Sequence, residues 1–356
     1  MPSTLDVLNW AAMTAAVNEM KSPNTFLQDL LFSDHHTNFV EDIEISTILK
    51  AREIAPFVRK NGEGIMVAGH SERFATVTGP NIRIKRPITP SELLYNRRPG
   101  TVIFVSGDQQ ISAIQQHIAR DLQVMADLVT NAQEWLCSQA LQGTIAYSVA
   151  DGDVFTITYP KPIGNNPTLS IFWDDATPAN VNVLANNHVA KKIMSDEVGL
   201  APTDAICGSE ASAALRKLIA DGNVKSFVNN NGQVKIGSID FTTQYSDQGV
   251  IYIGEISGIR FWEYSRTASL NGTAVSMIRP KFVEFVSTSS ASQRVMEYAA
   301  IPDLEAFEGR LFQAERFSKT WMEPDPSVRM ALLHSRPLPV TRRPGATVSM
   351  KVVSGS

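Results

Sequence analysis

The chain has 356 residues, 43% of them hydrophobic and 19% charged, which suits a folded protein of about two domains with a sizeable core. No stretch approaches the ~18 to 20 consecutive apolar residues of a membrane helix, and the N-terminus lacks the basic-then-apolar layout of a secretory signal, so membrane and export roles are not expected. A formal net charge of −4 and a pI of about 5.9 argue against a dedicated nucleic-acid binder with a basic groove.

Charge is unevenly spread. Residues 1–50 carry seven acidic side chains against two lysines, and residues 51–110 carry nine basic against five acidic, a balance of −5 followed by +4. Two explanations stand side by side: chance asymmetry of solvated faces, or an acidic arm that meets a basic arm on another subunit. Cys137 and Cys207, the only cysteines, lie beside a helical stripe and in an apolar run. Both read as small buried hydrophobes suited to a reducing compartment.

In chain order, Leu5 to Met20 shows a short helical pattern (Leu5, Leu8, Ala12, Ala15, Ala16), broken at Ser22 and Pro23, and Phe26 to Phe32 is a second short apolar stretch. Neither is long enough to be stable alone. Glu41 to Val58 reads as a strand with Ile43, Ile45, Ile54 and Phe57; Asn61 to Gly64 is a turn; Phe74 to Arg86 returns as a strand with Val77, Ile82 and Ile84 alternating against polar residues. A two-stranded arm of this length is marginal in water and its edges invite pairing, so a neighbouring copy is its natural support.

From Ser106 to Gly143 the apolar side chains Ile111, Ile114, Ile118, Leu122, Met125, Val129, Ala132, Leu136 and Ala140 recur every three or four residues. The spacing predicts one uninterrupted amphipathic helix with a narrow apolar stripe. Ser106 and Gln109 form a capping-box pair and Gly143 a stop. At ~1.5 Å per residue, Ile111 to Leu141 spans ~46 Å, a beam by the standard of globular helices.

Beyond it, Thr144–Val149 and Val154–Tyr159 flank Asp151 and Gly152 as a hairpin. An apolar stretch from Leu169 to Trp173 precedes a break at Thr177 and Pro178 and a helical pattern from Val183 to Val198. Ala205–Cys207 is a short buried strand and Glu210–Ala220 a helix. Gly249–Tyr264 is a strand pair bent at Gly254 and Gly258, and Asn271–Gly272 marks a turn. From Leu311 to Val353 the chain is extended, because Pro324, Pro326, Pro337, Pro339 and Pro344 exclude helix and confine strands to edges or short pieces. Strands and helices mix without steady βαβ alternation, which indicates α+β.

Chemistry-bearing groupings are scarce. The histidines (His35, His36, His70, His117, His188, His334) are scattered without zinc spacing, and surface roles are expected for the adjacent His35 and His36. There is no Gly-x-Ser-x-Gly elbow. Gly62 and Gly64 lack the third glycine and the helix of a dinucleotide fingerprint. Asp151 with Asp153 and Asp174 with Asp175 lack the rest of a calcium loop and read as turns. No catalytic, metal or cofactor residue is therefore assigned. The basic residues Arg52, Arg59, Lys60, Arg83, Lys85, Arg86, Arg97, Arg98, Arg342 and Arg343 are the candidate inter-subunit contacts. Phosphate binding is the competing role, but ion pairing is preferred because arginine suits bidentate carboxylate contacts and no aromatics interleave for base stacking. Of Phe261 and Trp262, one is expected in the core and one at an interface.

Three stretches together resemble a known family. One runs from Arg86 through Pro87, Pro90, Leu93, Arg97, Arg98, Pro99 and Gly100. The second runs from Gly199 through Pro202, Thr203, Asp204, Ala205, Ile206, Cys207 and Gly208, then Gly254, Gly258, Ile259, Trp262, Tyr264, Ile278 and Pro280. The third comprises Arg310, Lys319, Trp321, Asp325, Pro326, Ser335, Pro337 and Leu338. Their order around the long helix is similar to the Hong Kong 97 shell fold of tailed phages and, more narrowly, resembles the lambda-like major capsid protein E family. One departure is Thr101, where the family's link often continues with an acidic residue.

The resemblance implies an α+β fold with an N-terminal arm (1–40), an extended loop (41–90) and a peripheral domain (91–180) whose spine helix covers about 107–142. An axial domain (181–305) and a return to the peripheral domain (306–356) complete it. It implies a homo-oligomer of pentamers and hexamers closing an icosahedral shell around double-stranded DNA. Decoration, scaffolding and portal proteins are the expected partners, and assembly is expected in the host bacterial cytoplasm. An encapsulin-like nanocompartment and a cytosolic enzyme with an unrecognised site are the alternatives.

Overall fold

The computed structural model describes residues 10–19, 25–48, 72–89, 107–148, 153–221, 249–270, 272–288, 293–303, 314–325 and 327–355. Within them the helices are α1 (Trp10–Glu19), α2 (Phe26–Leu31), α3 (Gly107–Gln142), α4 (Val183–Val198) and α5 (Ser209–Ala220). The periodic run thus becomes a single 36-residue helix, α3. Gly143 ends it at φ +98°, its N–H reaching the carbonyls of Gln139 and Ala140. Lys161 crowns that end, donating to the Leu141 carbonyl at 2.7 Å and to Ser349 Oγ at 2.9 Å. A cation on the last helical carbonyls complements the helix dipole. Ser106 lies outside the described residues, as does the Gln109 side chain, so the capping box does too.

The narrow stripe describes only part of α3. Ile118, Leu122, Met125 and Val129 are buried along one side, while Val124 and Leu128 remain about half exposed. From Gln133 to Ser138 every residue is buried, polar ones included, and Ala132 is only partly covered. Neighbouring elements wrap the helix there, so the simple amphipathic pattern gives way to enclosure on all sides.

Two sheet systems flank α3. The first has β17 (Thr347–Lys351), β12 (Phe282–Val286), β7 (Asp204–Cys207), β9 (Ile259–Tyr264) and β8 (Val250–Ile256) in that order, with β7 and β9 parallel. A bulge at Gly254 and a turn at Gly258 bend the β8–β9 pair. Successive side chains of β9 point to opposite faces. Phe261 enters a core with Leu215, Phe285 and Met350. Trp262 enters another with Phe26, Leu136 and Tyr298. Both aromatics are therefore interior, contrary to the expected core-plus-interface division, because this sheet is covered on both sides.

The second system comprises two three-stranded sheets. In one, β1 (Asp34–Thr37), β13 (Arg294–Tyr298) and β16 (Pro337–Thr341) lie in that order. In the other, β15 (Ser327–Ser335) sits between β14 (Phe317–Pro324) and β4 (Ile82–Ile88). Pro87, Pro337 and Pro339 all fall on the outer strands of these sheets, where a missing N–H is tolerated. Three two-stranded hairpins complete the described fold: β2 (Asp42–Ile48) with β3 (Glu72–Thr78), β5 (Thr144–Ser148) with β6 (Val154–Thr158), and β10 (Thr267–Leu270) with β11 (Thr273–Ser276).

The return strand expected from Phe74 to Arg86 is two strands. Gly79, Pro80 and Asn81 interrupt it; β3 pairs with β2, and β4 crosses to pair with β15. At the arm's base, Ile43 and Ile45 are buried in the core of their own chain. The tip, residues 49–71, lies outside the described residues. Cys137 and Cys207 are buried thiols, and Asp175 Oδ1 accepts from the Thr177 N–H in a turn, both as expected.

Gly208 caps the approach to α5 where the chain is crowded by Arg279 and Pro280: a Cβ there would stand 2.2 Å from the Arg279 carbonyl oxygen. Backbone cannot yield cheaply at that distance. Gly208→Ala is expected to lower unfolding stability by ~3 kcal/mol or more, measured by urea denaturation; a loss below ~1 kcal/mol would contradict this packing.

Candidate assembly surface

The N-terminal segment is fastened to the body through α2. Glu134 of α3 is fully buried, and its carboxylate accepts the backbone N–H groups of Leu27 at 2.7 Å and Gln28 at 3.2 Å. It also accepts Gln28 Nε2 at 3.3 Å and the Tyr264 hydroxyl at 3.1 Å. A carboxylate from one helix thus caps the first turn of another. Burial pushes its pKa up to about 7, against the pull of those hydrogen bonds. Nearby, β1 is held by His35 Nδ1 on Glu315 Oε1 at 3.0 Å, and His36 Nδ1 lies 3.6 Å from Glu297. Both histidines are exposed. Earlier in the segment, Thr14 Oγ1 of α1 accepts from Ser318 N at 3.0 Å and donates to Ser318 O at 3.2 Å, seating α1 on β14.

The candidate basic residues divide by their surroundings. On β4, Ile82, Ile84 and Ile88 face α3, packing with Ile118, Leu122 and Met125, while Arg83 and Lys85 point outward and are exposed. Arg86 turns inward, its Nη2 lying 3.3 Å from Asp121 of α3. Arg342 reaches Glu297 at 3.4 Å, and Arg343 is half-buried before the short turn Pro344–Ala346. Arg52, Arg59, Lys60, Arg97 and Arg98 lie outside the described residues. The structure therefore leaves Arg83 and Lys85 together on one outward strand, and gives Arg86 and Arg342 carboxylates within their own chain.

Several arginines that sequence reading passed over are structural. Arg294 is buried and donates to the carbonyls of Ser287 and Ala346 and to Thr347 Oγ1, and burial lowers its pKa to about 10. Arg336 binds the Ala300 carbonyl at 2.9 Å and Glu41 at 3.3 Å, tying β16 to the base of the arm. Asp204 gathers Arg260, Trp262 Nε1 and Thr203 Oγ1 at 2.7–2.9 Å. His334 is interior, bonded to Asn81 Oδ1 at 2.6 Å, and burial lowers its pKa to about 4. Nothing local in the sequence marks these residues as interior; apart from Thr203 and Ser287, their partners are distant along the chain.

Apolar groups also face outward. Val124 and Leu128 of α3 continue toward a groove of about 310 Å³ lined by Ala132, Trp135, Leu270 and Met277. On the β5–β6 hairpin, Phe155 stacks on Tyr147 with ring centroids 5.6 Å apart, and Val154 is 68% exposed. Two-stranded hairpins with open edges and exposed apolar side chains mark surfaces that gain by contact with another molecule. Among the described residues no group of three or more His, Cys, Asp or Glu gathers to hold a metal ion, and no helix is long and apolar enough to cross a membrane.

Solved structures share this arrangement over nearly their whole length. A prophage protein of E. coli CFT073 assigned as a capsid protein aligns with a TM-score of 0.69 at 16% identity, covering 97% of this chain and 99% of that one. A phage-related protein of Bordetella bronchiseptica RB50 aligns at 0.52 and 12% identity, covering 97% and 98%. The capsid asymmetric unit of cyanophage A-1(L) aligns at 0.50 and 8% identity, covering 95% of each. The fold is thus α+β of the Hong Kong 97 capsid type. By sequence it belongs to the family Phage major capsid protein E, whose model matches residues 9–352. No curated protein sequence matches it.

The different settings of the basic residues can be separated by stability. Arg86→Glu places a second carboxylate beside the buried Asp121 and is expected to cost roughly 2 kcal/mol. The double variant Arg83→Glu with Lys85→Glu should unfold within ~0.5 kcal/mol of wild type in urea. Equal losses in the two variants would contradict the assignment of Arg86 to an internal role.

Proposed function

We propose that this major capsid protein assembles as pentamers and hexamers into an icosahedral shell that encloses the double-stranded DNA of a tailed phage. The observation that carries the reading is family membership over residues 9–352 joined to a body that leaves hairpins and a basic strand facing outward. In this reading the N-terminal arm (1–40) and extended loop (41–90) strap neighbouring subunits. The peripheral domain (91–180) is stiffened by α3, the axial domain (181–305) gathers at capsomer centres, and residues 306–356 return to the peripheral domain. Strand β17 joins the sheet of β7, β9 and β12, so the returning chain also ties the two domains together.

Arg83 and Lys85 are the described residues best placed for carboxylates of an adjacent subunit. The acidic balance of residues 1–50 supplies groups of the opposite sign. The shell has a structural role without a catalytic centre or cofactor. A mild net charge suits it, because packaged DNA need not be read by sequence and a strongly basic lining would retain it. Assembly takes place in the host bacterial cytoplasm, with scaffolding, portal and decoration proteins as the partners of such a shell. Many modest interfaces then act together.

Sedimentation velocity tests the strap. Wild-type protein is expected to run as capsomers and megadalton particles, whereas Arg83→Glu with Lys85→Glu should stop at capsomers or smaller while remaining folded. Particle yield equal to wild type from the folded double variant would overturn the role of this strand.

A further inference from the structure

Two hairpins each keep a strand edge open. Strand β10 pairs with β11 alone, and β6 with β5 alone. The Met277 N–H bonds to the Arg266 carbonyl at 3.0 Å, which fixes the phase of the β10–β11 ladder. Bonded and non-bonded pairs alternate in an antiparallel ladder, so Thr267 and Ser269 aim their backbone N–H and carbonyl groups away from β11. The Tyr159 N–H on the Gly143 carbonyl at 2.9 Å fixes β5–β6 in the same way, and Val154, Thr156 and Thr158 aim theirs away from β5. These outward backbone groups have no partner among the described residues.

The groove of about 310 Å³ follows one of the two edges. On one side it is lined by the consecutive residues Arg266 to Leu270, and on the other by Leu128, Asn131, Ala132 and Trp135 of α3. Neighbouring residues of a strand face opposite ways, so a groove that touches every residue of β10 runs along the side of the strand. Leu128 and Leu270 present apolar surface in it, 51% and 37% exposed. Arg266 stands where β10 begins, bonded to the neutral Asn131 Oδ1 at 3.1 Å and to no carboxylate among the described residues. Open ladder groups, an apolar wall and a cation at one end suit an extended segment with exposed apolar side chains and an acidic start.

Strand β6 has that composition. Val154 is 68% and Phe155 49% exposed, and the exposed Asp153 comes immediately before them. Val154 and Phe155 point to opposite faces, so one of them enters the groove whichever face turns inward. We infer that β6 of one subunit adds to the open edge of β10 on a second copy, joining two hairpins into a four-stranded sheet across the subunit boundary. The two strands run parallel, because Asp153 and Arg266 each lead into their strand and parallel alignment brings the opposite charges to the same end. Both open edges and the exposed apolar side chains are covered by this one contact. The inference rests on the shell reading, and it names a contact separate from the Arg83 and Lys85 strand.

Photocrosslinking of the full chain tests it. Capsomers assembled from mixed light- and heavy-isotope chains, each carrying Phe155→benzoylphenylalanine, are irradiated and the joined peptides read by mass spectrometry. Mixed-isotope links from position 155 to residues 128–135 or 266–270 are expected. Arg266→Glu should lower particle yield at least about tenfold, and adding Asp153→Arg should restore it to within about twofold. Should Arg266→Glu fail to fold, Asp153→Arg alone, a change at an exposed position, should give the same loss. Capsomers whose links are absent, lead elsewhere or join only peptides of one isotope would overturn this contact and leave the shell reading standing, as would wild-type yield from Arg266→Glu or a failed rescue. Wild-type protein that forms no capsomer at all would overturn both.

Discussion

Total enclosure of one stretch of a long helix is the constraint from which the rest of the structure follows. Between Gln133 and Ser138, α3 has no face left for solvent. An interior helix face that carries Gln133, Glu134 and Ser138 must find partners for each, since an unmet buried polar group costs ~1 to 3 kcal/mol. Glu134 finds them in α2 and Tyr264, Ser138 in its own Trp135 carbonyl at 2.7 Å, and Gln133 in Arg316 and Tyr298. These bonds draw the N-terminal segment, β9, β13 and the approach to β14 around one axis. The same helix, earlier along its length, packs against α1, β4 and β15. Among the described residues it therefore joins a stretch buried along one side, from Ile118 to Thr130, to a fully wrapped one.

This gradient separates what a subunit completes alone from what it leaves open. At the wrapped end, buried arginines reach across the chain: Arg294 pins the turn before β17, and Arg336 ties β16 to Glu41. At the open end, Val124 and Leu128 face outward from α3, and Arg83 and Lys85 from β4. A capsid subunit needs both kinds of surface. Its body must stay folded while free, and its outward residues must gain enough from neighbours to make assembly cooperative.

Much of this was legible in the residues. The period of α3 located its span, the Gly143 stop marked its end, and Val183–Val198 and the turns at Gly258 and Gly272 emerged from local pattern. What the sequence concealed was long-range. Strand β1, Asp-His-His-Thr, has no apolar pattern and is a strand only because β13 lies beside it. Strands β12 and β13 carry Glu284, Arg294 and Glu297 in the interior, so period-two alternation fails. The division at Gly79–Pro80 was written in residue type, yet its consequence, that β4 abandons the hairpin for β15, depends on a partner some 250 residues away. Among the candidate contacts, Arg86 and Arg342 share a residue type with Arg83 but not its surroundings, and only the fold tells them apart.

Electron microscopy of the purified wild-type protein examines the shell assignment most directly. Closed hollow particles of uniform diameter, built from repeating capsomers, are expected. A field of single globules that persists at high protein concentration, with no capsomer or closed form, would contradict it.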